Sequence, residues 1–121
     1  MFRVIIAGTR DFDNYELLKS YVDKMLINKR QQGESIIIVS GHCRGADLLG
    51  ERYAHESGYV LEVHPPDWHT YGRKAGVLRN RQMAESADAL IAFWDGSSRG
   101  TKNMVDEAIA HNLLVRVKRY K

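Results

Sequence analysis

Residues 88–108 read DALIAFWDGSSRGTKNMVDEA, and the way this stretch is parsed decides the fold. Asp88 to Trp94 is a short apolar run bounded by turn formers, which predicts a buried strand. From Asp95 to Gly100 the residues are mostly small or hydroxyl-bearing. Beyond about Thr101, Met104, Val105, Ala108 and Ile109 recur at helical spacing. A strand, a tight polar turn and a helix make half of a βαβ unit. The turn itself has two readings: a capping turn, in which Gly, Ser and Asp serve the backbone, or a cradle for a phosphate-bearing ligand.

The same pattern recurs along the chain. FRVIIAG (2–8) and SIIIVSG (35–41) are β-branched runs ended by glycine, and YVLEVH (59–64) is a third strand stopped by Pro65 and Pro66. A helix is expected from about Asn14, with Leu17, Leu18, Tyr21, Val22, Met25 and Leu26 on one stripe. A second, with Ala46, Leu49, Gly50, Tyr53 and Ala54 on one face, stops at Gly58. The loop PPDWHTYG leads into a helix over 73–86, the fourth strand is followed by a helix over 101–111, and LLVRVKRY closes as a fifth strand. Strands alternating with helices predict an α/β fold: one three-layer Rossmann-like domain on a mainly parallel five-stranded sheet, ordered 3-2-1-4-5. In that order the first and fourth strands meet at the topological switch point, where α/β sheets bind ligands.

Composition narrows the function classes. A chain of 121 residues, 44% hydrophobic and 27% charged, suits a single globular domain. No apolar run reaches the roughly 20 residues of a membrane span, and MFRVIIAG is too short for a secretory signal, so no membrane partner is expected. The single cysteine, Cys43, excludes an internal disulfide and suits a reducing cytoplasm. The net charge of +3 leans only slightly toward anionic partners, because the tail VRVKRYK alone carries four positive charges.

Three strand-to-helix junctions are rich in small residues: AGTR (7–10), SGHCRGAD (40–47) and DGSSRGT (95–101). A parallel sheet opens all three on one edge. The candidate ligand-binding residues are therefore Gly8, Thr9, Arg10, Ser40, Gly41, Gly45, Asp47, Gly96, Ser97, Ser98, Gly100 and Thr101. Glycines let backbone amides approach a phosphate, the hydroxyls donate, and Arg10 and Arg99 supply charge. Neither GxGxxG nor GxxxxGK[ST] is present. In GRKAGVLRNRQMAESA (72–87), Gly76, Val77, Met83, Ala84 and Ala87 form a broad apolar stripe that also carries Asn80. Asn80 has two compatible readings, a structural bond to a loop carbonyl or, with Arg79, a place at the cleft mouth. Arg73, Lys74, Arg79 and Arg81 make this segment basic.

Taken in order, AGTRDF, SGHCRGAD, YGRKAG, RNRQM and WDGSSRGTKNMVDEA resemble the SLOG superfamily, which includes the LOG phosphoribohydrolases and the DNA-processing protein DprA (Smf). The pattern is most similar to the small YspA-like branch and covers nearly the whole chain. The resemblance implies a Rossmann-like nucleotide-binding domain over 1–121. LOG enzymes hydrolyse the N-glycosidic bond of nucleoside monophosphates and carry R-K-x-x-M and P-G-G-x-G-T-x-x-E. Arg79 and Met83 match the first pattern, with Asn80 in place of lysine, which makes Arg79 the candidate catalytic residue. Gly100 and Thr101 match the second, but Met104 stands where its glutamate would be. A thioether can neither transfer a proton nor stabilise an oxocarbenium ion as a carboxylate does. Asp106 and Glu107 are rotated away from that position.

The expected function is binding or sensing of a nucleotide or an ADP-ribose-like molecule, with Arg10 and Arg79 on phosphates. LOG-type hydrolysis is the alternative, and DprA-like binding of single-stranded DNA a second one. For DNA, an extended basic track with stacking aromatics is wanted, and Trp68, Tyr71 and the basic helix supply only a short one. Trp68 and Tyr71 are read as a lid over the ligand, and Cys43 as a pocket wall. No metal is expected, because His64, His69 and Asp67 lack a ligand spacing. Superfamily relatives often self-associate, so a homo-oligomer is an expected assembly.

Overall fold

Seven residues of β1 (Phe2–Gly8) lie at the centre of a parallel sheet. β2 (Ile36–Ser40) and β4 (Ala89–Trp94) flank it, and β3 (Val60–Val63) and β5 (Leu114–Arg119) form the edges, giving the order β3-β2-β1-β4-β5. The computed structural model describes all 121 residues. The register aligns Val4 with both Ala89 and, one strand the other way, Ile38. Within the three interior strands the buried stretches 4–7, 36–39 and 89–93 are wholly apolar, while β1 carries its one charge, Arg3, at its start, and the edge strands carry Glu62, Arg116, Lys118 and Arg119, as the sheet's two-sided burial requires.

Alternation along each interior strand divides the core. Val4, Ile6, Ile36, Ile38, Ile91 and Phe93 pack with Leu18, Val22 and Leu26 of α1 (Tyr15–Gln31) and with Ala46, Tyr53 and Ala54 of α2 (Ala46–Ser57). Ile5, Ala7, Ile37, Val39, Leu90 and Ala92 pack with Met83 and Ala84 of α4 (Ala75–Ser86) and with Met104 and Ala108 of α5 (Arg99–Ala110). Val4, Ile5 and Ile6 are fully buried. Truncating Ile5 or Ile6 to alanine costs about 2–5 kcal/mol, because the rigid sheet cannot collapse onto the void. Gly50 brings α2 against β1, since a Cβ there would stand 2.8 Å from Ile6 Cγ2.

The element bounds depart from the sequence reading where a cap takes over. Asn14 Oδ1 accepts from the Leu17 amide at 3.0 Å and starts α1. Asp67 Oδ1 accepts from the Thr70 amide at 3.0 Å. It turns part of the expected loop 65–72 into a short helix, α3 (Trp68–Tyr71), followed by a 3-10 turn at Gly72–Lys74, so α4 begins two residues later than expected. Ser98 caps α5, which begins at Arg99, two residues before the expected start. Two stripe assignments also change. The buried face of α4 is Ala75, Arg79, Asn80, Met83 and Ala84, which turns Val77 outward. The buried face of α5 is Thr101, Met104 and Ala108, which leaves Ile109 59% exposed. No helix is long and apolar enough to cross a membrane.

Candidate functional site

The C-terminal ends of β1 and β4 meet too closely for any side chain. A Cβ on Gly8 would collide with the Phe93 carbonyl oxygen, and that oxygen accepts from the Thr9 amide at 2.9 Å. Thr9 is buried and ties the two loops together, its hydroxyl accepting from the Asp95 amide at 3.1 Å. The chain then turns outward, and Arg10 is exposed at the mouth of a cleft of about 290 Å³. That volume is at the lower end for small-molecule sites.

The turn that follows β4 is split between two duties. Asp95 Oδ1 accepts from the amides of Ser97 and Ser98, both at 2.8 Å. These two bonds hold the Asp95 carboxyl below its ordinary range. Gly96, at φ 88°, packs against the Arg119 guanidinium, and Ser97 points to solvent, so neither lines the cleft. The second half faces inward. Ser98 Oγ accepts from the Thr101 amide at 3.4 Å and from its hydroxyl at 3.2 Å. Arg99 and Gly100 have amides with no protein acceptor, at the positive end of a 12-residue helix. Free amides at a helix start lie at the positive end of its dipole and are able to donate hydrogen bonds to an anion. Gly100 has open space where a Cβ would stand.

The loop after β2 forms the opposite wall. Ser40 is fully buried and hydrogen-bonded within the fold, Gly41 lies beneath Arg79, and Gly45, at φ 86°, lies against the Thr9–Arg10 backbone. These three shape the loop without reaching the cleft; Cys43 and Asp47 do line it. Asp47 is 6% exposed, and its Oδ2 accepts from the Cys43 amide at 3.2 Å. Burial pushes its carboxyl up to about 6, against the downward pull of the Cys43 amide and the Arg79 guanidinium.

Arg79 and Asn80 join the walls. Arg79 Nη1 donates to the carbonyls of Gly41 and His64, and its Nε donates to Asn80 Oδ1 at 2.9 Å. Asn80 Nδ2 in turn donates to Asn103 Oδ1 at 2.8 Å and to the Gly100 carbonyl at 3.5 Å. Both readings of Asn80 therefore apply, since the amide bonds a loop carbonyl and also lines the cleft. Arg79 keeps only its Nη2 edge free of oxygen partners, 3.8 Å from Cys43 Sγ. Trp68 stands over Gly76 with its ring 3.5 Å from where a Cβ would be, and closes the outer side. Tyr71 is exposed and lies outside the lining. Met104 is 2% exposed, one flank on the cleft and the other in the core with Met83.

The charge balance is one-sided. Arg10, Arg73, Arg79 and Arg99 line the cleft, and Asp47 is its single carboxylate. Arg10, Arg73 and Arg99 pair with no acidic group. Arg73 and Asn103 are additions to the sequence-derived set. The signal for Asn103 was its place three residues after Gly100, one helical turn along the same face. No three His, Cys, Asp or Glu side chains converge for a metal.

Two comparisons bear on this arrangement. The YAcAr family, described as the YspA, cpYpsA-related SLOG family, matches residues 2–71, from β1 through Trp68 and α3. Gene 61 protein of Mycobacterium phage D29 is 35% identical over 115 residues, 89% of either chain.

Proposed function

Because the chain belongs to the YspA, cpYpsA-related SLOG family, we propose that its cleft binds a nucleotide or a nucleotide-derived, ADP-ribose-like molecule. The observation that carries this reading is the free amides of Arg99 and Gly100 at the start of α5, ringed by three arginines that no carboxylate neutralises. A phosphate there accepts two backbone hydrogen bonds, gains the helix dipole, and meets Arg10, Arg73 or Arg99 in charge-assisted pairs. The half-exposed Trp68 ring offers a stacking face for a base or ribose at the cleft's outer side. Arg79 acts here mainly as the strut between the loops at Gly41 and His64, presenting its Nη2 edge to the ligand.

Isothermal calorimetry with nucleoside mono- and diphosphates, ADP-ribose and inorganic phosphate tests the proposal. Saturable binding in the micromolar range by at least one nucleotide, weakened by Arg99→Ala, is expected. Silence from the whole panel at millimolar concentration would refute it.

A LOG-type N-glycosidase is the second reading, and one observation favours keeping it. Met104 cannot act as the acid, and Asp106 and Glu107 are engaged with Lys102 at 2.9 Å and Arg81 at 3.3 Å. Asp47, however, is a carboxyl in the cleft whose burial moves it toward neutrality, the condition for a general acid. Release of free base from a nucleoside monophosphate, lost in Asp47→Asn, would establish it; binding without release would remove it. DNA binding has weaker support, because Trp68 is the only aromatic ring on the cleft.

A further inference from the structure

A second groove, of about 400 Å³, adjoins the cleft and shares Arg10, Cys43 and Trp68 with it. His42 and Arg44 complete its polar lining. His42 is held there by an unusual amount of structure for a half-exposed side chain. Its backbone is left-handed, with φ 62°, a region non-glycine residues enter rarely and keep where surroundings enforce it. Its amide donates to the Ser40 hydroxyl at 3.0 Å, that hydroxyl donates to Glu51 Oε2 at 2.7 Å, and His42 Nδ1 meets the same oxygen at 2.8 Å. Ser40 is fully buried at the end of β2, so the ring of bonds is anchored in the sheet.

The consequence is a defined imidazole. A carboxylate oxygen only accepts, so Nδ1 carries the proton and Nε2 is the nitrogen left to the groove. An imidazole oriented by a carboxylate, with its second nitrogen facing a substrate groove, is the arrangement that transfers protons in hydrolysis. Two arginines in the same lining, Arg10 and Arg44, suit a phosphoryl group undergoing attack.

We propose that His42, positioned by Glu51, is the proton-transfer group for hydrolysis of a phosphoric ester or anhydride bond in a ligand that extends from the cleft into this groove. The proposal rests on the nucleotide-binding reading above. Water attacks phosphorus as His42 Nε2 takes its proton, forming the new P–O bond. The P–O bond to the leaving group breaks, its electron pair goes to the departing oxygen beside Arg10, and the imidazolium returns the proton to that oxygen. The products are a phosphate monoester or acid and the protonated leaving group.

The test follows the hydrolysis of ADP, ADP-ribose and bis(p-nitrophenyl) phosphate by ³¹P NMR, each with and without Mg²⁺, in wild type, His42→Asn, His42→Gln and Glu51→Gln. Asparagine tolerates the left-handed backbone and reproduces the Nδ1 donor to Glu51, so His42→Asn preserves the loop and deletes only Nε2. Turnover of at least one probe is expected. His42→Asn should lower kcat about 100-fold or more with KM, nucleotide affinity and melting temperature unchanged. Glu51→Gln, acting through His42, should lower kcat about tenfold at constant KM, and His42→Gln should match His42→Asn. Three results overturn the proposal. Nucleotide binding with no hydrolysis of any probe leaves the binding reading standing and removes this one. Turnover insensitive to His42→Asn assigns the ring of bonds to loop structure alone. Neither binding nor turnover removes both.

Discussion

Replacing Asp47 with asparagine should stabilise the protein at neutral pH, and by an amount that depends on pH in a defined way. The side chain is 6% exposed, and burial raises its carboxyl from an ordinary 3.8 to about 6. The folded chain therefore holds the proton more tightly than the unfolded chain does. Below about pH 4 both are protonated and the group costs nothing. Between about pH 4 and 6 the unfolded chain ionises first, and stability falls as pH rises. Above about 6 the penalty is complete. Moving the carboxyl from 3.8 to about 6, at about 1.36 kcal/mol for each pH unit, corresponds to roughly 3 kcal/mol. Asparagine matches the shape and keeps an acceptor for the Cys43 amide, but its NH₂ group is a poorer neighbour for Arg79, so about 2–3 kcal/mol is expected. Urea unfolding followed by tryptophan fluorescence at pH 4, 6 and 7.5 measures this. The gain of variant over wild type should be near zero at pH 4 and reach its full size by pH 7.5. A pH-independent difference, or a variant less stable throughout, would show that the carboxylate is well solvated or well paired, and the electrostatic account of the cleft would be wrong.

Gly8→Ala should unfold the protein or lower its melting temperature by more than 10 °C, since the colliding Phe93 oxygen is backbone and cannot yield; circular dichroism on heating reads this. Gly96→Ala and Gly100→Ala should separate the two halves of one turn. The first strains a residue at φ 88° against Arg119, costing about 1 kcal/mol in chemical denaturation with nucleotide affinity intact. The second removes a glycine from the first turn of α5, adding up to about 1 kcal/mol of stability while placing a methyl beside the free amides, so calorimetry should show at least tenfold weaker nucleotide binding. Trp68→Ala, at a side chain 49% exposed, should leave the melting temperature within about 2 °C and weaken nucleotide binding by about tenfold.

The architecture was readable from the chain because the period and length of its apolar runs leave few alternatives. Three short apolar runs, VIIA (4–7), IIIV (36–39) and ALIAFW (89–94), demand burial on both faces, and strands alternating with amphipathic helices then give the parallel order seen here. Helix starts were less legible, because Asp67 and Ser98 act through single side-chain bonds that composition does not announce. The site divides in the same way. That the loops at 8–10, 40–47 and 95–101 share one edge follows from the sheet. Which of their small residues face the cleft does not follow, since a glycine for close packing and a glycine for ligand approach are identical in sequence. Gly45 and Gly96 prove to be the first kind and Gly100 is open to the cleft. In sequence Arg73 is one of four basic residues of its segment, and the turn at Gly72–Lys74 is what brings it to the cleft.

Whether the start of α5 holds the phosphate of a nucleotide is read by titrating ¹⁵N-labelled protein with AMP and following the backbone amides. The largest downfield shifts should fall on Arg99 and Gly100, whose amides have no protein acceptor, with smaller ones at Gly8 and Cys43. Ser97 and Ser98, already bonded to Asp95, should stay within the scatter of the unaffected core. Shifts confined to other surfaces, or none at millimolar AMP, would show that the start of α5 does not hold the phosphate.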